Sequence, residues 1–310
     1  MLSLSVLDQS PIPEGSSAGD ALRNSMELAK LADRLGYRRY WFAEHHGTPG
    51  LACASPEVMI GPVAAATSRI RVGSGGVMLP HYSPLKVAET FSMLSGLFPG
   101  RIDLGVGRAP GTSAKVAYAL QRDRRQPAPD DFREQMDELR GYFPKGDPEV
   151  TLLGSSPQSA IWAAEMGLPY VFADFINPNG GPLAMYYREH FRASRWFSEP
   201  RVAVAAWAIC GETEEEAFRL SASARMMLLS LFRGQLIPVP PVEKALEFLA
   251  QEGADPATLP EGRRMISGDP KSVRGALGEV AAEYGADEVF VVNIVHEHSA
   301  RMRSYELIAG

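Results

Sequence analysis

The sequence predicts an α/β protein, a (β/α)8 TIM barrel with a helical insertion between strands 7 and 8, on three observations. Short runs rich in Val, Ile, Phe and Leu alternate with longer stretches of helical period, and the alternation repeats eight times along the chain. The strand-like runs are apolar on both faces, as parallel strands covered by helices must be. Polar and titratable residues gather where these runs end, the end of a barrel at which loops carry chemistry. The 310 residues exceed an average domain, but a single α/β barrel commonly runs to about 250 residues and more with insertions. One domain over 1–310 is therefore expected.

The elements follow in order. "LSLSVLD" (2–8) is the first strand, and the stretch from about Asp20 to Leu35 is an amphipathic helix stopped by Gly36. "RRYWFAE" is the second strand, after which Ser55 caps and Pro56 opens the helix over "SPEVMIGPVAAATS". "RIRVGSGGVML" leads to a helix starting at "SPLKVAETFSML", and "GRIDLGVG" leads to one around "PDDFREQMDELRGYF". "EVTLLG" precedes "SSPQSAIWAAEMG", with Ser156 as N-cap and Pro157 at the first helical position. "PYVFADF" pairs with "GGPLAMYYREHFRAS", "RVAVAAWAIC" with "ETEEEAFRLSASARMMLLSLF", and "DEVFVVNIV" with a last helix to Ile308. From about Ile237 to Ala282, "PVEKALEFLAQEG" and "DPKSVRGALGEVAAEYG" supply two extra helical pieces, an insertion within the barrel and not a second domain.

Composition closes off several classes. With 45% hydrophobic residues the chain has material for a sizeable core, which excludes global disorder. A net charge of -6 with scattered basic residues lacks the footprint of a nucleic-acid binder, and the dense basic run "QRDRRQ" (121–126) is expected as a solvated loop. No apolar run approaches the roughly 20 residues needed to span a bilayer. The opening "MLSLSVLDQSPIPEG" lacks the basic start of a targeting peptide, so a cytoplasmic protein is expected. Cys53 and Cys210 have no metal spacing and are expected as buried, inert thiols.

Strand two ends in Glu44, His45 and His46. Adjacent residues of a strand point to opposite faces, so one ring of the pair at most should face a ligand, and the order lacks the i, i+4 spacing of zinc proteases. The competing account has both rings tying down the loop. His296 and His298 share a face with Glu297 between them, but no further ligand clusters nearby, and no metal site is expected. After strand five, Ser155, Ser156 and Ser159 place hydroxyls around the first turn of a helix, where a phosphate would sit, and Arg108 past strand four offers a planar donor fork to neutralise it. Simple helix capping and a surface ion pair are the alternatives for these residues. The similar "SGDPKS" is capped by Asp269, whose charge repels phosphate. "GVGRAPG" fails as a dinucleotide fingerprint because Pro110 stands at the third glycine position. Gly75 and Gly76, in a buried strand, point either to close approach of a flat ligand or to close packing. Trp41, Trp162 and Trp207 are expected to fill the core.

"YWFAEHH", "RVGSGGVMLPHYSPLKVAE", "GRIDLGVGRAPGT" and "LGSSPQSAIWAAEMGLP" together resemble the bacterial luciferase-like flavin monooxygenases, in particular their short single-barrel group of luciferase family oxidoreductases. The similarity runs from Leu2 to about Phe172 and resumes at "SGDP" and the final strand and helix. It implies His45 as the catalytic histidine near the flavin's reactive edge, Arg108 as the phosphate-binding arginine, and Ser156 and Ser159 as phosphate-binding hydroxyls. It also implies a non-prolyl cis peptide at Gly75 and Gly76 beneath the isoalloxazine ring. Glu44 is expected to orient one of the two imidazoles. Gly107 stands where the light-emitting enzyme has a reactive cysteine and Ser155 where it has a glutamate, so bioluminescence is not expected.

The implied chemistry is a reduced FMN that meets dioxygen to form a flavin peroxide, which oxidises a small organic substrate. His45 would act on the peroxide or as a general base, with a pKa suited to neutral pH. With no nicotinamide module evident in the chain, reduced FMN should arrive from a separate flavin reductase, direct reduction at the barrel mouth being the alternative. A homodimer is expected. Three other functions fit parts of the sequence: an F420-dependent reductase or dehydrogenase on the same barrel, a flavin-binding protein without turnover, and a phosphate-ester lyase or isomerase. The intact His45 argues against the second, and the lack of a strand-end lysine against the third.

Overall fold

The computed structural model describes residues 2–108, 113–127, 129–143, 148–253 and 263–310. The chain runs β1 (Ser3–Asp8), α1 (Ala18–Leu35), β2 (Arg39–Phe42), α2 (Pro56–Ala66), β3 (Arg71–Met78), a 3-10 turn (Leu79–His81) and α3 (Pro84–Leu97). It continues through β4 (Ile102–Gly107), α4 (Ala114–Leu120), α5 (Phe132–Gly141), β5 (Glu149–Gly154), α6 (Pro157–Met166), β6 (Tyr170–Ala173), α7 (Gly181–Glu189) and β7 (Val202–Cys210). It ends with α8 (Glu214–Phe232), α9 (Val242–Gln251), β8 (Ile266–Gly268), α10 (Pro270–Tyr284), β9 (Glu288–Val292) and α11 (His298–Ala309). Parallel pairing runs from β1 through β7, then to β9 and back to β1, so eight strands close into a barrel, while β8 pairs with the end of β7 outside it.

Two layers of apolar side chains follow from the strand pleat. Val6, Tyr40, Phe42, Val72, Leu104 and Val204 face outward into the layer between strands and helices. Leu7, Trp41, Val171, Ala205 and Phe290 face inward and fill the barrel. The inward Trp41 is accommodated because β3 carries glycines beside it: a Cβ at Gly75 would stand 2.4 Å from Leu7 Cδ1 and 3.2 Å from Trp41 Cβ. At the N-terminal ends of the strands, Arg39 joins Asp103 at 2.9 Å and Glu149 at 2.9 Å, and Trp41 Nε1 donates to Asp103. This charge network ties the strands together at the floor; the opposite end is the mouth.

Three local expectations change. Ser55 sits at the start of α2 but makes no side-chain cap bond. α4 and the three-residue β8 are additional to the elements read from the sequence. α10 packs on β7 and β9 and against α7 and α11, so it holds the crossover place after β7, and the elements added there are α8, α9 and β8. The sequence reading gave that place to α8, because helical periodicity does not reveal which neighbour an apolar face covers. No helix among the described residues is long and apolar enough to cross a membrane.

Candidate active site

Two cavities open at the mouth. The first, about 460 Å3, is lined among others by Leu7, Gly75, Gly76, Arg108, Ser155 and Trp162. The second, about 490 Å3, lies under α8 and is lined by residues such as Trp207, Met227, Leu231 and Ile294. Gln9, His45 and Phe175 line both and so form the wall between them. Trp41 and Trp207 are buried in the core as expected, Trp207 also bordering the second cavity, while Trp162 is partly buried against the core and borders the first.

β2 ends at Phe42, and the next residues leave the pleat. Glu44 is buried, and its carboxylate accepts three bonds: from His46 Nε2 at 2.6 Å, from the Tyr82 hydroxyl at 2.7 Å and from Met78 N–H at 3.0 Å. A buried carboxylate is tolerable on those terms. His45 is anchored by its backbone N–H donating to Cys53 O at 2.9 Å, but its ring Nδ1 is enclosed and has no hydrogen-bond partner among the described residues. Both rings line cavity walls, His45 in both cavities and His46 in the second, because the alternation that would separate them stops at Phe42.

The expectation of a neutral-range pKa for His45 is overturned. Burial, and after it the adjacent His46, holds the imidazole down to about 4, so at neutral pH it is an uncharged hydrogen-bonding ring and not a resident acid. Stability carries the signature of this shift. Unfolded, the ring returns to its ordinary 6.5, so between 6.5 and about 4 the unfolded chain takes up a proton that the native chain does not. The contribution is intact above that window and is lost as pH falls through it. His45→Gln should therefore flatten the decline of melting temperature between pH 6.5 and 4 relative to wild type; an unchanged slope would mean the ring is not held neutral.

The other end of the first cavity is built differently. Ser156 caps α6, its Oγ accepting from Ser159 N–H at 3.3 Å, and Ser159 Oγ donates to Ser156 O at 2.7 Å and lies 2.9 Å from the Tyr170 hydroxyl. Capping therefore engages both hydroxyls, and Ser159 is turned into the fold. Ser155 is half-buried on the cavity wall, its carbonyl held by Asn177 Nδ2 at 3.1 Å. The Arg108 guanidinium lies 5.3 Å over the Trp162 ring of α6 and pairs with Asp130 at 2.9 Å. Arg108 and Asp130 are both largely exposed, and such pairs typically contribute about 0–1 kcal/mol, so a dianion can replace the carboxylate at little cost. Beside it, a Cβ at Gly107 would meet nothing within 4 Å. The remainder of the "GRAPGT" loop, 109–112, lies outside the described residues.

Gly75 and Gly76 line the same cavity and are joined by a cis peptide bond. The residue set fits a mononucleotide flavin: cation and hydroxyls at one end, glycines and apolar side chains between, and the His45 imidazole at the other. Among other singled-out residues, Asp269 caps α10 through Ser272 N–H, His298 pairs with Glu27, and His296 with Glu297. Cys53 and Cys210 are buried, and burial pushes their thiols up to about 12 and about 11. Sequence reasoning missed Gln9, Tyr82 and Arg263. Gln9 and Tyr82 had a usable signal, since each stands just past a strand end; Arg263 had none.

Known proteins place this geometry. The family model for luciferase-like monooxygenases matches residues 2–288. The chain is 38% identical over 321 residues to a luciferase-like monooxygenase of Escherichia coli K12, covering 99% of this chain and 96% of that protein. It is 35% identical over 327 residues to N-acetyl-S-alkylcysteine monooxygenase of Bacillus subtilis, covering 100% and 98%. The crystal structure of apo-MsnO8 superposes with a TM-score of 0.93 at 40% identity, covering 100% and 98%. Likeness of fold alone extends to the FMN complex of the oxygenating constituent of Pseudomonas putida 3,6-diketocamphane monooxygenase (TM-score 0.76, 20% identity, 100% and 97% covered). It extends also to an F420-dependent secondary alcohol dehydrogenase (TM-score 0.65, 17% identity, 99% and 99% covered).

Proposed function

The chain belongs to the luciferase-like monooxygenase family, and from that premise we propose that it is an FMN-dependent monooxygenase that takes reduced flavin from a separate reductase and oxidises a small organic substrate. The observation that supports this most is the polarity of the first cavity, with Arg108 and the serines at one end and the His45 imidazole at the other. Reduced FMN, when bound, supplies the electrons with which dioxygen is activated for oxygen transfer. The protein's residues do the rest. Arg108, Ser155 and Ser156 would hold the phosphate, and Gly75 and Gly76 would lie against the ring. Leu7, Leu153 and Val171 keep water from the cavity. His45 would hold a hydrogen bond, or accept a proton, at its imidazole. Glu44 acts through others, fixing His46 and the end of β3.

Equilibrium titration tests the cofactor. FMN should bind more tightly than riboflavin, in oxidised or reduced form, and Arg108→Ala should weaken FMN by about 10- to 100-fold while leaving riboflavin within about twofold, since a charge-assisted hydrogen bond contributes about 1.5–3 kcal/mol. Equal wild-type affinities for FMN and riboflavin would remove the phosphate site. Tighter binding of F420 than of FMN would move the chain to the deazaflavin-dependent reductase alternative.

A further inference from the structure

The second cavity is apolar on most of its wall, with Trp207, Met227, Leu228, Leu231 and Ile294 among its lining residues. Among the described residues it is lined by no Asp or Glu, yet it includes Arg263. That side chain is half-buried. Its Nη1 donates to Phe175 O at 3.0 Å, and its guanidinium lies 5.8 Å over the Phe232 ring. No carboxylate pairs with it among the described residues. The contrast with its neighbour is direct: Arg264 is engaged by Asp174 at 2.9 Å and Glu283 at 2.9 Å. Burial alone draws Arg263 below the ordinary range of a guanidinium, with no opposing charge to restore it.

A guanidinium presents five N–H donors, and among the described residues one of those of Arg263 has a protein partner. A half-buried cation that meets no carboxylate among the described residues, on the wall of a largely apolar cavity, is stabilised by a ligand that brings the opposite charge. Such a ligand carries a negatively charged acceptor on an apolar body. Since Phe175 stands in the wall between the two cavities and its carbonyl fixes Arg263, such a ligand would lie beside His45.

We propose that the second cavity is the substrate pocket for a small apolar carboxylate and that Arg263 selects it by its charge, which rests on the monooxygenase function given above for what happens to that ligand. The test is independent of turnover. Octanoate and octanamide, alike in shape and different in charge, are titrated calorimetrically near neutral pH into the wild-type protein and into Arg263→Gln and Arg263→Lys. Octanoate should bind wild type at least about tenfold more tightly than octanamide, and Arg263→Gln should abolish that ratio while keeping octanamide within about twofold. Arg263→Lys should keep part of it, since it retains the charge without the planar fork. FMN affinity should not change in either variant. No preference for octanoate in wild type, or a preference surviving in Arg263→Gln, would overturn the assignment. So would loss of FMN binding in parallel with octanoate, which would give Arg263 to the cofactor. An Arg263-dependent preference in a protein that oxidises nothing with reduced FMN would sink the activity and leave the pocket standing.

Discussion

His45→Ala slows substrate oxidation by about 100- to 10,000-fold, the usual range for loss of a group that moves a proton or holds one in the transition state, while fold and flavin affinity stay within a few-fold. The separation follows from what the ring does and does not touch. Its backbone N–H, which pins the turn to Cys53 O, survives the substitution, and the enclosed Nδ1 has no protein partner to be orphaned. Ground-state binding and chemistry therefore part company, and more hydrogen peroxide should be released per reduced flavin consumed. Because the ring is held neutral, with its pKa down at about 4, turnover should show no limb near 6.5 that disappears with the imidazole. His45→Asn then sorts the two roles: an amide donates and accepts hydrogen bonds but does not shuttle protons, so a rate recovered well above that of the alanine variant assigns hydrogen bonding. Full coupled turnover in His45→Ala, or a loss that vanishes at saturating flavin, would remove the imidazole from the chemistry.

The strands of the barrel were legible because each is covered on both faces and reads as an apolar run, and the helices because their starts carry Ser or Asp with Pro and their ends Gly, as at Ser156 to Gly167 and Asp269 to Gly285. What escaped was either short or defined by contact. β8 is three residues long, and α4 is a seven-residue helix with no buried residue, so neither has a periodic signal. Glu44 and His45 stood out because they follow a strand end. Their division of labour did not, since it depends on Met78 at the end of β3 and Tyr82 just after it. The His45 shift comes from enclosure by distant segments, and the place of Arg263 on the wall of the second cavity is encoded by no local pattern.

Glu44→Ala is expected to be the most damaging change to stability among the site residues, by about 3–5 kcal/mol in chemical denaturation, the range seen when one partner of a buried charged network is removed. The substitution strips three donors at once, His46 Nε2, the Tyr82 hydroxyl and Met78 N–H, of their buried carboxylate. Tyr82→Phe removes only one of those bonds and should cost about 1 kcal/mol. Glu44→Gln keeps the shape and one acceptor but turns an amide N–H toward donors, so it should fall between the two. Met78 closes β3 just past Gly75 and Gly76, so loosening it should disturb the bed proposed for the flavin ring and weaken FMN and riboflavin alike. Arg108→Ala, by contrast, should separate the two ligands. Glu44 makes no bond to His45, hence at saturating flavin the oxidation rate of the folded fraction should remain within about tenfold of wild type, well above the range expected for loss of an acid–base group. A Glu44→Ala protein with an unchanged denaturation midpoint and a rate as low as that of His45→Ala would show that the carboxylate works in the reaction itself, and that the clamp between β2 and β3 is incidental.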